Sequence, residues 1–398
     1  MTNTCASDKT LLILGAAAVQ NDAVLAAQEM GVKVLVAAQA ADGPAAESAD
    51  KFVEANFMDL AKMRELLNSQ KIDVVYSTGS DLAMPVSMAL SEEFGLPHFV
   101  SKETALTCNN KIAMRERTQN LPGAVGFSHC SFADQEKDGN GKPNEPTVVA
   151  PGSGPWIVKP ADAQGQRGIQ LIDDEKQIPA AAAEAASFSR TSSAIVEEYI
   201  GGTEVSVNGY LVNGEIKFLV VSDRVTWPQY TGLIRAHTVP SRYSGDANIT
   251  ARLHESITKF ADRLGIVNGP VYAQVKIDQG DVRIIEITPR LDGCHMWHLL
   301  SYSTSVDLMK ITLRHLVFGE QPEFPDELQI HPATLEFLCQ QPNTPAEYPE
   351  HYAEVDSTAN SENQPVAGFR YYQEGQNIRP VNGRFDKIGY EIRFDPVS

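Results

Sequence analysis

A doubly wound α/β domain, followed by an α+β region and a small C-terminal extension, is the fold predicted by the 398-residue sequence. Three observations carry this. Over roughly the first hundred residues, short apolar runs alternate with stretches of helical spacing, which is how βαβ units around a parallel sheet read. Beyond a Gly-, Pro- and Asn-rich stretch at about Asp138–Pro155, the pattern turns to paired strand-like runs with hairpin signals. The tail beyond about Pro322 is proline-rich and ends in short polar strands. The expected boundaries are 1–105, 106–320 and 321–398.

Taken in order, Leu11–Leu14 is an apolar run, Asn21–Met30 has helical spacing and Val32–Ala37 is a second apolar run. The acidic stretch Asp50–Asp59 precedes a helix near Leu60–Ser69, a strand at Asp73–Tyr76, a helix near Leu82–Phe94 and a closing strand at His98–Val100. A helix is expected over Lys111–Gln119. Trp156–Lys159, Ile169–Ile172, Ala194–Glu198, Glu204–Leu211 and Glu215–Ser222 read as strands, with Asn213-Gly214 turning the last pair. Helices fall near Glu175–Phe188 and Ile249–Leu264. Tyr272–Asp278 and Val282–Ile287 flank a second turn at Gln279-Gly280.

Composition narrows the function. The net charge is −18, from 51 acidic against 33 basic residues. That disfavours a nucleic-acid or anionic-membrane surface, either of which needs clustered Lys and Arg. No apolar run approaches the roughly 20 residues of a membrane span. The apolar segment from Leu11 to Val19 reads as a buried strand entering a turn, not as a signal peptide. The five cysteines (Cys5, Cys108, Cys130, Cys294, Cys339) form no CxxC pair, which suits a reducing, cytoplasmic setting.

Four features bear chemistry. Trp156–Pro160 delivers Lys159 at a strand end, and Ala161–Ile169 follows with Gly165 and Gly168. An ammonium beside a loop that exposes backbone N–H groups suits a polyphosphate, although a surface hairpin with a solvated lysine reads the same way. Ala194–Gly202 is a strand stopping at two glycines; the backbone of Glu197, Glu198, Tyr199 and Ile200 can meet an adenine edge or merely turn. Val282–Arg290 places Glu286, Thr288 and Arg290 at alternate positions, an oxygen donor beside a guanidinium, with Gln274 across the hairpin. Lys111 opens a helix and gains meaning only from the other three.

In this order and separation, the motifs resemble the ATP-grasp superfamily, which includes biotin carboxylase, carbamoyl-phosphate synthase and the L-amino-acid ligases. The similarity runs from about Leu11 to Gly319. It implies an N-terminal pre-ATP-grasp domain, then central and C-terminal α+β subdomains with a lid at about 125–200. It also implies ATP with Mg²⁺, or Mn²⁺ as the alternative ion. By that resemblance Lys111 and Lys159 contact ATP phosphates, Gly165–Gly168 form the lid over them, Glu197–Ile200 hold adenine and Glu204 holds the ribose. Gln274, Glu286 and Thr288 ligate the metal, and Arg290 stabilises the transferring phosphoryl. The family more often has two carboxylates and an asparagine at the metal; here Glu286 is the one carboxylate.

The implied reaction phosphorylates a small carboxylate and joins the acyl phosphate to an amine; a homodimer is left open. Arg224, Trp227, Arg235 and His237 are expected on the loop after the first hairpin, where two arginines suit a carboxylate. His295 is a further substrate candidate, and His298 a core residue. Two competing readings are an ATP-binding protein without turnover and a nucleotide-dependent oxidoreductase. The turn Gly15–Gln20 lacks the G-x-G-x-x-G spacing that the latter calls for.

Overall fold

A computed structural model describes residues 8–133, 148–163, 167–349, 365–380 and 385–396. The N-terminal domain follows the predicted alternation: β1 (Thr10–Leu14), α1 (Ala18–Glu29), β2 (Lys33–Ala38), α2 (Pro44–Ser48), β3 (Lys51–Glu54), α3 (Leu60–Ser69), β4 (Val74–Tyr76) and α4 (Ala83–Phe94). Its parallel sheet has the order β3-β2-β1-β4. Alternate residues of β1 enter different cores: Leu11 and Ile13 on one face, Leu12 and Leu14 on the other. That is why the strand reads as a continuous apolar run. Two corrections arise here. The acidic stretch Asp50–Asp59 contains β3, and His98–Val100 forms no strand but leads into α5 (Lys102–Asn109) and α6 (Lys111–Thr118).

A four-stranded antiparallel sheet comes next. It comprises β5 (Phe127–Ser131), β6 (Trp156–Pro160), β7 (Gln170–Ile172) and β8 (Ser193–Glu198), in the order β5-β8-β6-β7. Trp156, Val158, Ala194 and Val196 of this sheet bury α7 (Ile178–Ser187), whose alanines allow close approach.

The third sheet has eight strands: β9 (Thr203–Val212), β10 (Glu215–Trp227), β11 (Tyr230–Val239), β12 (Gly269–Asp278), β13 (Asp281–Thr288), β14 (Ala333–Gln340), β15 (Ala367–Arg370) and β16 (Asp386–Phe394). Their order is β13-β12-β9-β10-β11-β14-β16-β15. Both predicted hairpin turns hold left-handed pairs, Asn213-Gly214 at φ 53° and 81° and Gln279-Gly280 at 48° and 84°. Val205, Val207, Val271, Ala273 and Val275 pack on α8 (Ala247–Leu264), so one face of this sheet is apolar. After β13 the chain forms α9 (Met296–Thr304) and α10 (Leu308–Leu313).

The tail, expected as a small domain of its own, instead lends three strands to this sheet. Ala333, Leu335, Phe337, Tyr390 and Ile392 share a core with β1, β2 and α1. The residues expected on a loop are likewise on strands: Arg224 and Trp227 on β10, Arg235 and His237 on β11.

Candidate active site

The four-stranded sheet presents its lysine from β6. Lys159 is buried, with Nζ 2.5 Å from Glu197 Oε2 on β8. The other oxygen of Glu197 accepts from Arg115 Nε at 2.8 Å, and Arg115 also donates to the Ile285 carbonyl at 2.9 Å. Burial by itself would raise the Glu197 pKa, but Arg115 and Lys159 overcome it and hold the carboxyl below its usual range. The Lys159 ammonium is held below its usual value by burial, which Glu197 only partly offsets. Thus the side chain of Glu197 is committed to a buried ion triad, whatever its backbone does. Lys111 begins α6 and donates from Nζ to the Ala163 carbonyl at 3.2 Å. Arg115 lies one turn further along the same helix face. Gly168 enters β7 at φ 70°, whereas Gly165 lies outside the described residues.

β8 ends at Glu198 and the chain turns through Gly201 and Gly202 into β9. The Glu198 N–H donates to Gly126 and the Tyr199 N–H to Pro155, both at 3.0 Å, while the Ile200 N–H has no partner among the described residues. The Glu198 carboxylate lies over Gly126 and Gly152, where a Cβ would meet it at 2.7 and 2.6 Å. Gly202, at φ 72°, passes so close to the Ile277 carbonyl that a Cβ would sit 2.1 Å from it. The strand therefore has to end in glycine.

Opposite its apolar face, the eight-stranded sheet is polar. By register and alternation Glu204, Ser206, Arg224, His237, Tyr272, Gln274, Glu286 and Thr288 share this face. Glu204 Oε1 lies 2.9 Å from Arg224 Nε and accepts from Gln274 Nε2 at 2.8 Å. Gln274 pairs with Glu286 across the ladder. With its N–H₂ donating to Glu204, the carbonyl oxygen of Gln274 is the atom left for a cation. Together with the Glu286 carboxylate it makes a hard-oxygen pair. The Thr288 hydroxyl is buried and turns to Met84 Sδ at 3.7 Å. Arg224 NH1 donates to Tyr272 Oη at 3.0 Å.

Arg290 follows β13 and is buried, stacked 5.5 Å over the Tyr272 ring. It forks onto Asp81, Nε to Oδ1 at 2.5 Å and NH2 to Oδ2 at 2.8 Å. Asp81 lies just before α4, so this guanidinium ties the segment between β4 and α4 to the end of β13.

Two substrate candidates lie away from this group. Arg235 pairs with Glu336 at 2.8 Å and covers the Trp227 ring at 5.3 Å, both on the strands themselves. His295, at φ 55°, is buried between Asp22 of α1 (2.6 Å) and Tyr371 (2.9 Å). Trp297 Nε1 donates to the same Asp22 oxygen at 2.9 Å, and His298 Nδ1 meets Tyr390 Oη at 2.5 Å. Both ring nitrogens of His295 are thereby engaged in joining α1 to the segment that follows β15. Arg115 and Asp81, which hold Glu197 and Arg290, and the buried Asp292 just beyond Arg290 are residues of this candidate site that sequence reasoning missed. Arg115 was findable, one turn from Lys111, and Asp292 two residues past Arg290. Asp81 gave no signal.

The turn after β1 is filled from within. Gln20 Oε1 accepts from the Ala17 N–H at 3.1 Å and Nε2 donates to the Thr78 carbonyl at 2.6 Å. This side chain occupies the helix N-terminus where a dinucleotide pyrophosphate would lie.

Residues 153–297, which include Lys159, Glu197, Gln274, Glu286 and Arg290, match the family model for the ATP-grasp domain. Among relatives in sequence is a formate-dependent phosphoribosylglycinamide formyltransferase of Synechococcus, 27% identical over 199 residues, 48% of this chain and 48% of that protein. An alanine–anticapsin ligase of Bacillus amyloliquefaciens is 27% identical over 154 residues, 38% of this chain and 30% of that protein. The chain thus spans about half the length, or less, of these curated relatives. Among solved structures, an L-amino acid ligase from Bacillus licheniformis superposes with a TM-score of 0.74 at 19% identity, covering 97% of this chain and 93% of that one. The biotin carboxylase domain of Hydrogenobacter thermophilus 2-oxoglutarate carboxylase, a dimer solved with MgADP and bicarbonate, gives 0.75 at 15% identity over 98% and 86%. At these identities the structural likeness establishes the fold. No helix among the described residues is long and apolar enough to cross a membrane.

Proposed function

We propose that this protein is an ATP-dependent carboxylate–amine ligase, which phosphorylates a small carboxylate and joins the acyl phosphate to an amine. The observation that carries this is the polar face on which Glu204, Arg224, Gln274 and Glu286 stand in register beside Arg290. In this reading Lys111 and Lys159 hold the ATP phosphates, and Ile200 offers to the base an N–H that has no partner among the described residues. The sheet of β5–β8 closes over them as a lid. The metal set fits the family's Mg²⁺ in ligand type: Glu286 and the Gln274 carbonyl would hold the ion, which shields charge between the phosphates. Arg290, kept rigid by Asp81, stabilises charge on the transferring phosphoryl. Burying the acyl phosphate beneath the lid keeps water from it.

Measuring phosphate release from Mg-ATP across a panel of amino acids, other small carboxylates and amines tests this reading. Release that depends on both a carboxylate and an amine supports it. One observation favours ATP binding without turnover as the second reading: the Thr288 hydroxyl faces Met84, leaving one carboxylate and one amide for the cation. ATP binding without release under any combination would select that alternative.

A further inference from the structure

Beside Arg224, the polar face ends in three buried groups that the phosphoryl-transfer chemistry does not use. His237 of β11, Asp292 and Cys294 bring a ring nitrogen, a carboxylate oxygen and a sulfur within 4.8 Å of one another. Two polar atoms of these side chains lack a partner among the described residues: His237 Nε2 and Asp292 Oδ2, on side chains that are 0% and 5% exposed.

The hydrogen-bond network fixes what each can do. Ser222 Oγ lies 3.5 Å from the Ser206 carbonyl, to which it can donate, and so can accept from the imidazole. With its proton on Nδ1, 3.2 Å from that oxygen, the imidazole keeps the Nε2 lone pair for a donor. Asp292 Oδ1 accepts from the Cys294 N–H at 3.2 Å, Oδ2 has no hydrogen-bond partner among the described residues, and burial raises the carboxyl's pKa against the charges of Arg290, Arg224 and Lys387. Two buried acceptors without a donor are costly unless a ligand brings one.

The remaining groups around the histidine narrow the choice of donor. Burial, then the charges of Arg224 on β10 and Lys387 on β16, push the imidazole well below its usual pKa, so it is unprotonated at neutral pH. Lys387 Nζ stands 3.8 Å from Cys294 Sγ, and burial raises that thiol to about 11. Two neighbouring cations and a protonated thiol oppose a divalent metal ion. A singly charged ammonium suits the two acceptors better.

We infer that Asp292 Oδ2 and His237 Nε2 receive the ammonium of the amine substrate, and that His237 takes its proton as the amine attacks. This role rests on the ligase reading above. In balance, one ammonium proton passes to His237 Nε2. The nitrogen lone pair forms the C–N bond at the acyl carbon, and the C–O bond to phosphate breaks. The second nitrogen proton leaves with inorganic phosphate, and the imidazolium, beside Asp292, then returns its proton to water.

Hydroxylamine separates the halves of the reaction, because near neutrality it is uncharged and needs no base. Each proteinogenic L-amino acid, and each of a panel of other small carboxylates, is offered with Mg-ATP, first with hydroxylamine and then with each amino acid as the amine. Hydroxamate and amide are quantified for wild type, His237→Gln and Asp292→Asn. The amide-to-hydroxamate ratio is expected to fall by about 100-fold or more in His237→Gln, the range of a lost general base. Its residual amide rate should rise with pH as free amine accumulates. An unchanged ratio, in whichever of the two variants folds, overturns the inference while leaving the ligase reading intact. So does one equivalent of zinc in the purified protein that His237→Gln loses. If wild type forms no hydroxamate from any acid, the ligase reading and this inference fall together.

Discussion

Lys159 and Glu197 form a 2.5 Å ion pair in which both side chains are almost wholly buried, and Arg115 closes the other carboxylate oxygen. A single anion therefore neutralises two buried cations. Removing Glu197 strands both of them, while removing Lys159 leaves Glu197 still paired with Arg115. Glu197→Ala is expected to cost about 3–5 kcal/mol, as for other broken buried pairs, and Lys159→Ala distinctly less. Urea unfolding of the two variants tests the order. Lys159→Ala should also lose ATP-dependent product formation, and near-normal turnover in a folded variant would contradict its role.

The same triad sets an acid limit. The folded-state pKa of Glu197 lies below its value in the unfolded chain, despite burial, because of Arg115 and Lys159. Its contribution is thus fully present above the ordinary glutamate range, about pH 4.3, and is lost as pH falls through the depressed value. Stability measured downward from about pH 5 should fall more steeply in the wild type than in Glu197→Gln. Parallel curves would mean that the triad does not couple to protons as described.

Arg290 should respond through Asp81 as well as directly. Arg290→Ala is expected to abolish product formation. Asp81→Asn keeps the shape but loosens the fork, and a displaced guanidinium should lower kcat roughly 10- to 100-fold with little change in the KM for ATP. If the KM rose instead and kcat held, Asp81 would be serving substrate binding.

At the metal set the two neighbours should behave differently. Glu286→Gln removes the one carboxylate of the Gln274–Glu286 pair and should raise the Mg²⁺ concentration needed for half-maximal phosphate release. Thr288→Asn would bring in the ligand type that the family more often has. The structure, however, leaves Thr288 1% exposed and against Met84. The larger side chain is therefore expected to cost about 1–3 kcal/mol through overpacking. A Mg²⁺ titration and a thermal melt of each variant decide both points.

By itself the sequence determined the local elements and the order of the motifs. The continuous apolar run of β1, the Asn213-Gly214 and Gln279-Gly280 turns and the strand-end position of Lys159 are all encoded within a few residues, where period and turn chemistry act. Tertiary structure alone decided the rest. Nothing near Glu197 announces that Arg115, 82 residues earlier, will claim its side chain, nor that Asp81 will grip Arg290 from the segment between β4 and α4. His237 shows the same divide. Its place on β11 rather than on a loop, and its nearness to Asp292 and Cys294, depend on how the eight strands are ordered. Ion pairs and bare acceptors are made by groups that meet in space, and strand order, not sequence distance, sets which groups meet.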